Sequence, residues 1–173
     1  MTPVFDWQVA WHVLPLLLKA LGTTVEITLL GMLLALVLGL LFAVARRSPI
    51  VLLSRSSAML IEFVRRTPLL VQIYFLFYVG PAVGFNLPAL ATGLIALGLH
   101  YGAYCSEVYR AGIEAVPLGQ WDAAAALNLG RYRTWFRVIL PQAILLEIPA
   151  LGNYLIAMFK DTPMLSEIGR AHV

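Results

Sequence analysis

Charge is what this sequence is short of. Only 12 % of its 173 residues are charged and 61 % are hydrophobic, where a soluble domain carries about a quarter charged. Mean hydropathy is +0.85. A soluble domain of this length has no interior large enough to hide so much apolar surface, and the apolar residues come in long blocks, so the chain reads as a membrane protein. Cysteine is nearly absent too. The lone Cys105 lies in an apolar stretch, which excludes a disulfide framework or thiolate metal cluster and leaves it a small buried hydrophobe. There is no glycine-rich phosphate loop ending in Lys-Ser/Thr and no nucleophile–base set, so the chain is expected to catalyse nothing and to bind no metal or cofactor. A net charge of +3 and a pI near 9.2 raise the question of a nucleic-acid partner. No basic run is interleaved with exposed aromatics, however, and arginines at the cytoplasmic ends of membrane helices explain the balance. Internal repeats and low-complexity stretches are missing as well.

The apolar blocks that are present predict an all-α integral membrane bundle. Residues 1–18 form an extracytoplasmic segment with no base before Lys19, which argues against a signal peptide. Within it, Trp7 and Trp11 are one helical turn apart, so residues 4–18 read as an interfacial amphipathic segment, or else as an unstructured tail. A first span covers residues 21–45, ~37 Å if helical. Gly22, Gly31 and Gly39 offer smooth surfaces for close packing, and Arg46-Arg47-Ser48-Pro49 ends it. Residues 50–57 are a loop or helix start bearing Arg55. A second span covers 58–79, a third 88–109 and a fourth 142–159, with an uncharged turn around Gly80-Pro81 and 84–88. The ten residues after Pro163 are too few to cross a membrane.

Arginines sort the ends. Arg46, Arg47, Arg55, Arg65 and Arg66 cluster at one hairpin, and Arg110, Arg131, Arg133 and Arg137 at the other; the amino-terminal segment and the 80–88 turn have none. The positive-inside rule then puts the N-terminus outside and both basic loops in the cytoplasm.

Polar groups inside spans are costly and usually functional. The candidates for a substrate pathway are Arg65, Thr67, Pro68, Gln72, Glu107, Glu147, Asn153, Lys160 and Asp161. Each has a plainer alternative. Arg65 and Arg66 can snorkel to headgroups, and Glu62 is spaced i,i+3 and i,i+4 to pair with them. Glu107 can serve in structural pairing. Thr67-Pro68 is expected to open the helix and free backbone groups to line a cavity, with Gln72 one turn on. Glu147 and Asn153 can bridge helices; Lys160 and Asp161 form either a local ion pair or part of an external gate. His100 reads as a hydrogen-bonded bundle residue.

Residues 112–141 are unfit to cross a bilayer, carrying Glu114, Asp122, Arg131, Arg133 and Arg137. Gly119, Gln120 and Trp121 lead into Asp122-Ala-Ala-Ala-Ala-Leu127, a short helix with Asp122 at its N-cap or first turn and a bald alanine face that another protein can approach closely. Asn128 and Gly130 tolerate left-handed backbone and are expected to end it in a sharp turn. A second short helix, 132–140, runs to Pro141.

This loop resembles the signature of ABC-transporter permease subunits: E-A-A, three residues, G, nine residues, I-x-L-P. Asp122, Ala123 and Ala124 match its opening, Asn128 its glycine, and Val138, Leu140 and Pro141 its close. Asp for Glu, Asn for Gly and Val for Ile are departures with the spacing intact. Phe63-Val-Arg-Arg-Thr-Pro-Leu-Leu-Val-Gln72, Glu107-Val-Tyr-Arg-Ala-Gly-Ile-Glu-Ala-Val-Pro-Leu-Gly-Gln120 and Phe159-Lys-Asp-Thr162 are similar to the polar amino acid branch, the permeases for histidine, glutamine, glutamate, arginine and opines. The resemblance implies a transmembrane domain over 19–166 with the type I importer fold. It also implies a second permease subunit, homo- or heteromeric, and two ATPase subunits that bind ATP and Mg. An extracytoplasmic solute-binding protein completes the assembly. Gly119, Asp122, Ala123, Ala124, Asn128, Gly130 and Pro141 would make the coupling surface seated on one ATPase. A different class, a secondary transporter or channel without an ATPase, would also account for charged spans. Members of the family continue after Phe-Lys-Asp-Thr into a further span. Here residues 167–173 can be spelled codon for codon by the start of a common short-read sequencing adapter, so they are expected to be a non-native tail replacing a fifth span; the alternative is a naturally short permease.

Overall fold

The computed structural model describes residues 6–169, and every regular element among them is helical. The elements are α1 (Trp7–Arg46), α2 (Val51–Arg66), α3 (Leu69–Tyr74), α4 (Ala89–Glu114), α5 (Leu118–Ala126), α6 (Arg131–Thr134), α7 (Leu140–Asp161) and α8 (Ser166–Gly169). A π turn, Phe75–Val79, and a 3-10 turn, Gly80–Val83, extend α3. A second π turn, Trp135–Ile139, joins α6 to α7 without a break. Among the described residues, two helices are long and apolar enough to cross a membrane, Trp7–Arg46 and the continuous Arg131–Gly169; Leu69–Val83 is apolar but shorter.

α1 starts where the Asp6 carboxylate accepts from the amides of Gln8 and Val9, satisfying first-turn donors that have no partner in the helix. Its 40 residues extend ~60 Å, twice the ~30 Å of a hydrocarbon core. Over the described part of 4–18, residues 6–18, no separate interfacial segment is seen. From Trp7 the chain belongs to the same helix as the first span, while residues 1–5 lie outside the described residues. Apolar side chains surround this helix, so no solvent-facing polar stripe forms, as expected of a helix in lipid. Leu29, Leu33, Leu40 and Leu41 point outward.

Small residues set the main contact. Ala35 is fully buried and, with Gly31 and Gly39 one turn to either side, makes a flat strip against α4, where Gly102 meets the Ala35 and Gly39 backbone and Gly98 makes room for the Leu34 side chain. A Cβ on Gly39 would come 2.7 Å from the Cys105 Cβ and 3.0 Å from the Gly102 carbonyl oxygen. Van der Waals packing of backbones, rather than a hydrophobic drive, holds helices together in lipid. Gly22 does not share this role, because nothing lies within 4 Å of where its Cβ would be. Cys105 is fully buried beside Leu97, Tyr101 and Met158 in the core between α1, α4 and α7.

The second hydrophobic block is not one helix. α2 begins at Val51, earlier than expected, and stops at Arg66; Thr67 is extended at φ −94°, ψ 128°. Proline removes an amide donor and disfavours helix in the residue before it, so Pro68 makes the break. The fourth block has the opposite surprise. Pro141 was expected to end a short helix, yet the chain runs on through the π turn. Both π turns, at Phe75–Val79 and Trp135–Ile139, end two residues before a proline, Pro81 and Pro141. A widened turn is how each helix accommodates the ladder bond its proline cannot make. Of the expected tail 167–173, Glu167 to Gly169 lie in α8, where Ile168 is fully buried, and residues 170–173 are outside the described set.

Candidate functional site

The loop between α4 and α7 is a projecting knuckle. Pro117 cannot donate to a preceding turn, and α5 starts directly after it. Asp122 is therefore mid-helix, neither N-cap nor first turn, and it is exposed. Ala123, Ala125 and Ala126 are also exposed, whereas Ala124 is only 2 % exposed and turned toward the chain's own helices. Ala124 thus supports the knuckle from inside and offers no surface to a partner. Leu118 and Leu127, at 79 % and 73 % exposed, frame the outward face; they were missed because a leucine in an apolar chain carries no signal. Asn128 takes left-handed backbone at φ 50°, and the Leu129 amide donates to the Ala124 carbonyl at 3.0 Å, closing the helix as expected. Gly130 does not share this: it is extended at φ −60°, ψ 150°. Gly119 has open space around it. Beneath α5, Trp121 meets Trp135 edge to face at 5.3 Å, over buried Val116, Ile139 and Ala143. Gln142 donates to Gln120 at 3.3 Å. Pro141 is exposed in the first turn of α7, outside α5 altogether.

Next to the knuckle lies a network of charge. Glu107 on α4 meets Arg46 at the end of α1, Arg110 at 2.9 Å and Arg65 of α2 at 3.7 Å. Glu62 pairs with Arg66 at 2.9 Å and Arg65 at 3.6 Å, which is the pairing its spacing predicts. Arg110 also reaches Glu114 at 2.6 Å, and its hydrogen bonds to Glu107 and Glu114 hold its guanidinium still further above its ordinary value. The network ties three helices together. Arg46, read from sequence as a stop signal and an orientation marker, is part of it because its side chain at the end of α1 reaches Glu107.

A second group begins at the Thr67-Pro68 break. The Gln72 amide donates to the freed carbonyls of Val64 (2.8 Å) and Thr67 (2.9 Å) and pairs with His100 Nδ1 at 3.0 Å. The break is real, but its carbonyls are capped from within the chain. His100 meets Tyr101 edge to face and Tyr104 at a tilt, Tyr104 meets Tyr154 at a tilt, and the Arg65 guanidinium lies 5.2 Å from the Tyr104 ring centroid. Tyr104 donates to the Arg65 carbonyl at 3.1 Å, and Tyr101 to Asp161 at 2.6 Å. A tyrosine–histidine column thus runs between Arg65 and Asp161. Sequence reasoning missed the tyrosines, since Tyr in a membrane helix is more often an interface anchor. Two buried atoms in this region, Arg65 Nε and Gln72 Oε1, have no hydrogen-bond partner.

The remaining candidates do not join it. Glu147 is buried where a Cβ on Gly112 would overlap its carboxylate, so it packs against α4. Asn153, Lys160 and Pro68 are exposed. Asp161 turns to Tyr101, so the alternative of a local ion pair with Lys160 is not formed; Thr162 beside it bonds Thr28 of α1 at 3.1 Å.

Comparison with known proteins agrees with this arrangement. Residues 35–172 match the family described as binding-protein-dependent transport system inner membrane component. The chain is 51 % identical over 159 residues to a probable amino-acid ABC transporter permease protein, y4tG, of Sinorhizobium fredii, covering 92 % of this chain and 69 % of that protein. It is 39 % identical to the L-cystine transport system permease protein TcyB of Bacillus subtilis, covering 89 % of this chain and 66 % of TcyB. Against the glutamine transport system permease protein GlnP of Escherichia coli K12 identity is 33 %, covering 98 % and 78 %. Among solved structures, an amino acid ABC transporter crystallised with histidines superposes with a TM-score of 0.90 at 36 % identity, over 96 % of this chain and 78 % of that one. The MetNI methionine transporter, at 17 % identity and a TM-score of 0.69, over 95 % of this chain and 78 % of that one, shares the fold alone. This is the type I ABC importer permease fold, of a family integral to the inner membrane whose members work with ATPase and permease partners. The chain belongs to the binding-protein-dependent transport system inner membrane component family and is an ABC transporter permease.

Proposed function

We propose that this chain is the translocating subunit of an importer for polar amino acids or close analogues such as opines, powered by ATP hydrolysis on a partner ATPase. A second permease subunit completes the pathway, and an extracytoplasmic solute-binding protein delivers the solute; the N-terminus lies outside. The observation that carries the reading is α5. It is an exposed helix of nine residues with a small-residue face between two leucines, joined by the tight turn at Asn128 to α6, which runs on into the long helix that holds Asp161. Closure of the ATPases pulls on α5, and the rocking of α7 alternates access to a central path. Lined up for that path are Asp161, the tyrosine column, Arg65 and Gln72, where buried unpaired polar atoms retain bonding capacity for a polar solute. The names of the relatives, glutamine and L-cystine transport among them, favour an amino acid over other solutes.

The test is assembly with a cognate ABC ATPase. Asp122→Arg with Ala123→Trp alters only exposed positions and is expected to reduce ATPase co-purification at least tenfold while the permease stays monodisperse. If the ATPase binds as before, α5 is not the coupling element.

A further inference from the structure

We infer that the cytoplasmic end of the bundle carries a site for an anionic phospholipid. A cavity of about 690 Å³ opens between the end of α1, the start of α2, the end of α4 and the α6–α7 junction. Its size is that of a ligand pocket. Its walls are apolar, including Leu40, Val44, Leu53 and Phe136, and all four of these side chains are exposed. Arg46, Arg47, Arg110 and Arg131 also line it. Arg46 and Arg110 are committed to Glu107 and Glu114. Arg47 and Arg131 have no carboxylate partner among the described residues, and Arg47 is held 5.5 Å from the Trp135 ring centroid.

An apolar groove under two uncommitted guanidinium groups has the polarity of a lipid: acyl chain along Leu40 and Val44, phosphodiester between Arg47 and Arg131. Guanidinium groups bind phosphate in a forked geometry, and basic pockets between helices on the cytoplasmic face favour anionic headgroups. Free phosphate would use the arginines but leave the apolar walls bare, so the occupant is a lipid of the inner leaflet. This rests on both basic loops facing the cytoplasm. It does not depend on which solute is carried or on coupling through α5.

The experiment is native mass spectrometry and lipid exchange on the purified chain in nanodiscs of mixed phosphatidylglycerol and phosphatidylcholine. Wild type is expected to retain phosphatidylglycerol preferentially. R47Q with R131Q should weaken that retention about twenty-five-fold, some fivefold for each arginine. R133Q with R137Q, both outside the cavity lining, should leave it within twofold. V44W fills the groove with every arginine intact and should expel the lipid. Equal retention of the two lipids overturns the site, as does an unchanged R47Q/R131Q variant. So does a comparable loss in R133Q/R137Q, which would mean diffuse surface attraction, or undiminished binding in V44W, which would mean the walls take no part. ATPase co-purification measured on the same samples separates the two proposals: normal assembly with no lipid preference sinks the lipid site alone.

Discussion

At the scale of single residues, Gly39 and Gly22 look alike in the sequence and differ in the structure. One sits against the α4 backbone, and the other faces open space. Gly39→Val forces apart a contact whose opposing atoms include a carbonyl oxygen, which cannot rotate away as a side chain would. Overpacking of this sort costs about 1–3 kcal/mol. A thermal unfolding scan in detergent is expected to show a Tm lower by several degrees for Gly39→Val and little change for Gly22→Ala. Residue type alone announced that glycines would help packing, but which glycine depends on the azimuth at which two helices meet, and no single helix encodes that. The same holds for Glu107. Its place in a span marked it as important, while its three arginines come from three different helices.

Elements were legible in proportion to how local their causes are. The apolar blocks and the knuckle's position follow from composition along the chain, and the break at Thr67-Pro68 follows from proline stereochemistry. The continuity of α6 with α7 was not legible, because a proline that could end a helix can also be absorbed by a π turn. The break makes its own prediction. Gln72→Ala strips a donor from two carbonyls, Val64 and Thr67, at a cost of about 1–3 kcal/mol. Pro68→Ala lets the helix re-form and satisfy those carbonyls itself, so the double variant should be less destabilised than the sum of the two. A double-mutant cycle of unfolding midpoints checks this; strict additivity would mean that Gln72 is not capping the break.

For the whole molecule, the arrangement of charge is the property a membrane reads. Arg46, Arg47, Arg110 and Arg131 line one cavity, so the two basic hairpins, far apart in sequence, share one end of the bundle. Cys105 is fully buried and should stay silent toward an impermeant maleimide, which makes the wild-type chain a clean background. Leu127→Cys and Val83→Cys place reporters on residues that are 73 % and 66 % exposed. In right-side-out vesicles Val83→Cys is expected to label and Leu127→Cys to label only after lysis; the reverse pattern would invert the orientation.

The uninterrupted helix from Arg131 to Gly169 puts the knuckle and Asp161 mechanically in series. Thirty residues of helix make a lever arm of ~45 Å, so each degree of tilt imposed at its lower end sweeps the upper end by ~0.8 Å. Motion of that kind needs no relay of side chains. Its losses are confined to the two softest points of the shaft, the widened turn at Trp135–Ile139 and the missing ladder bond at Pro149.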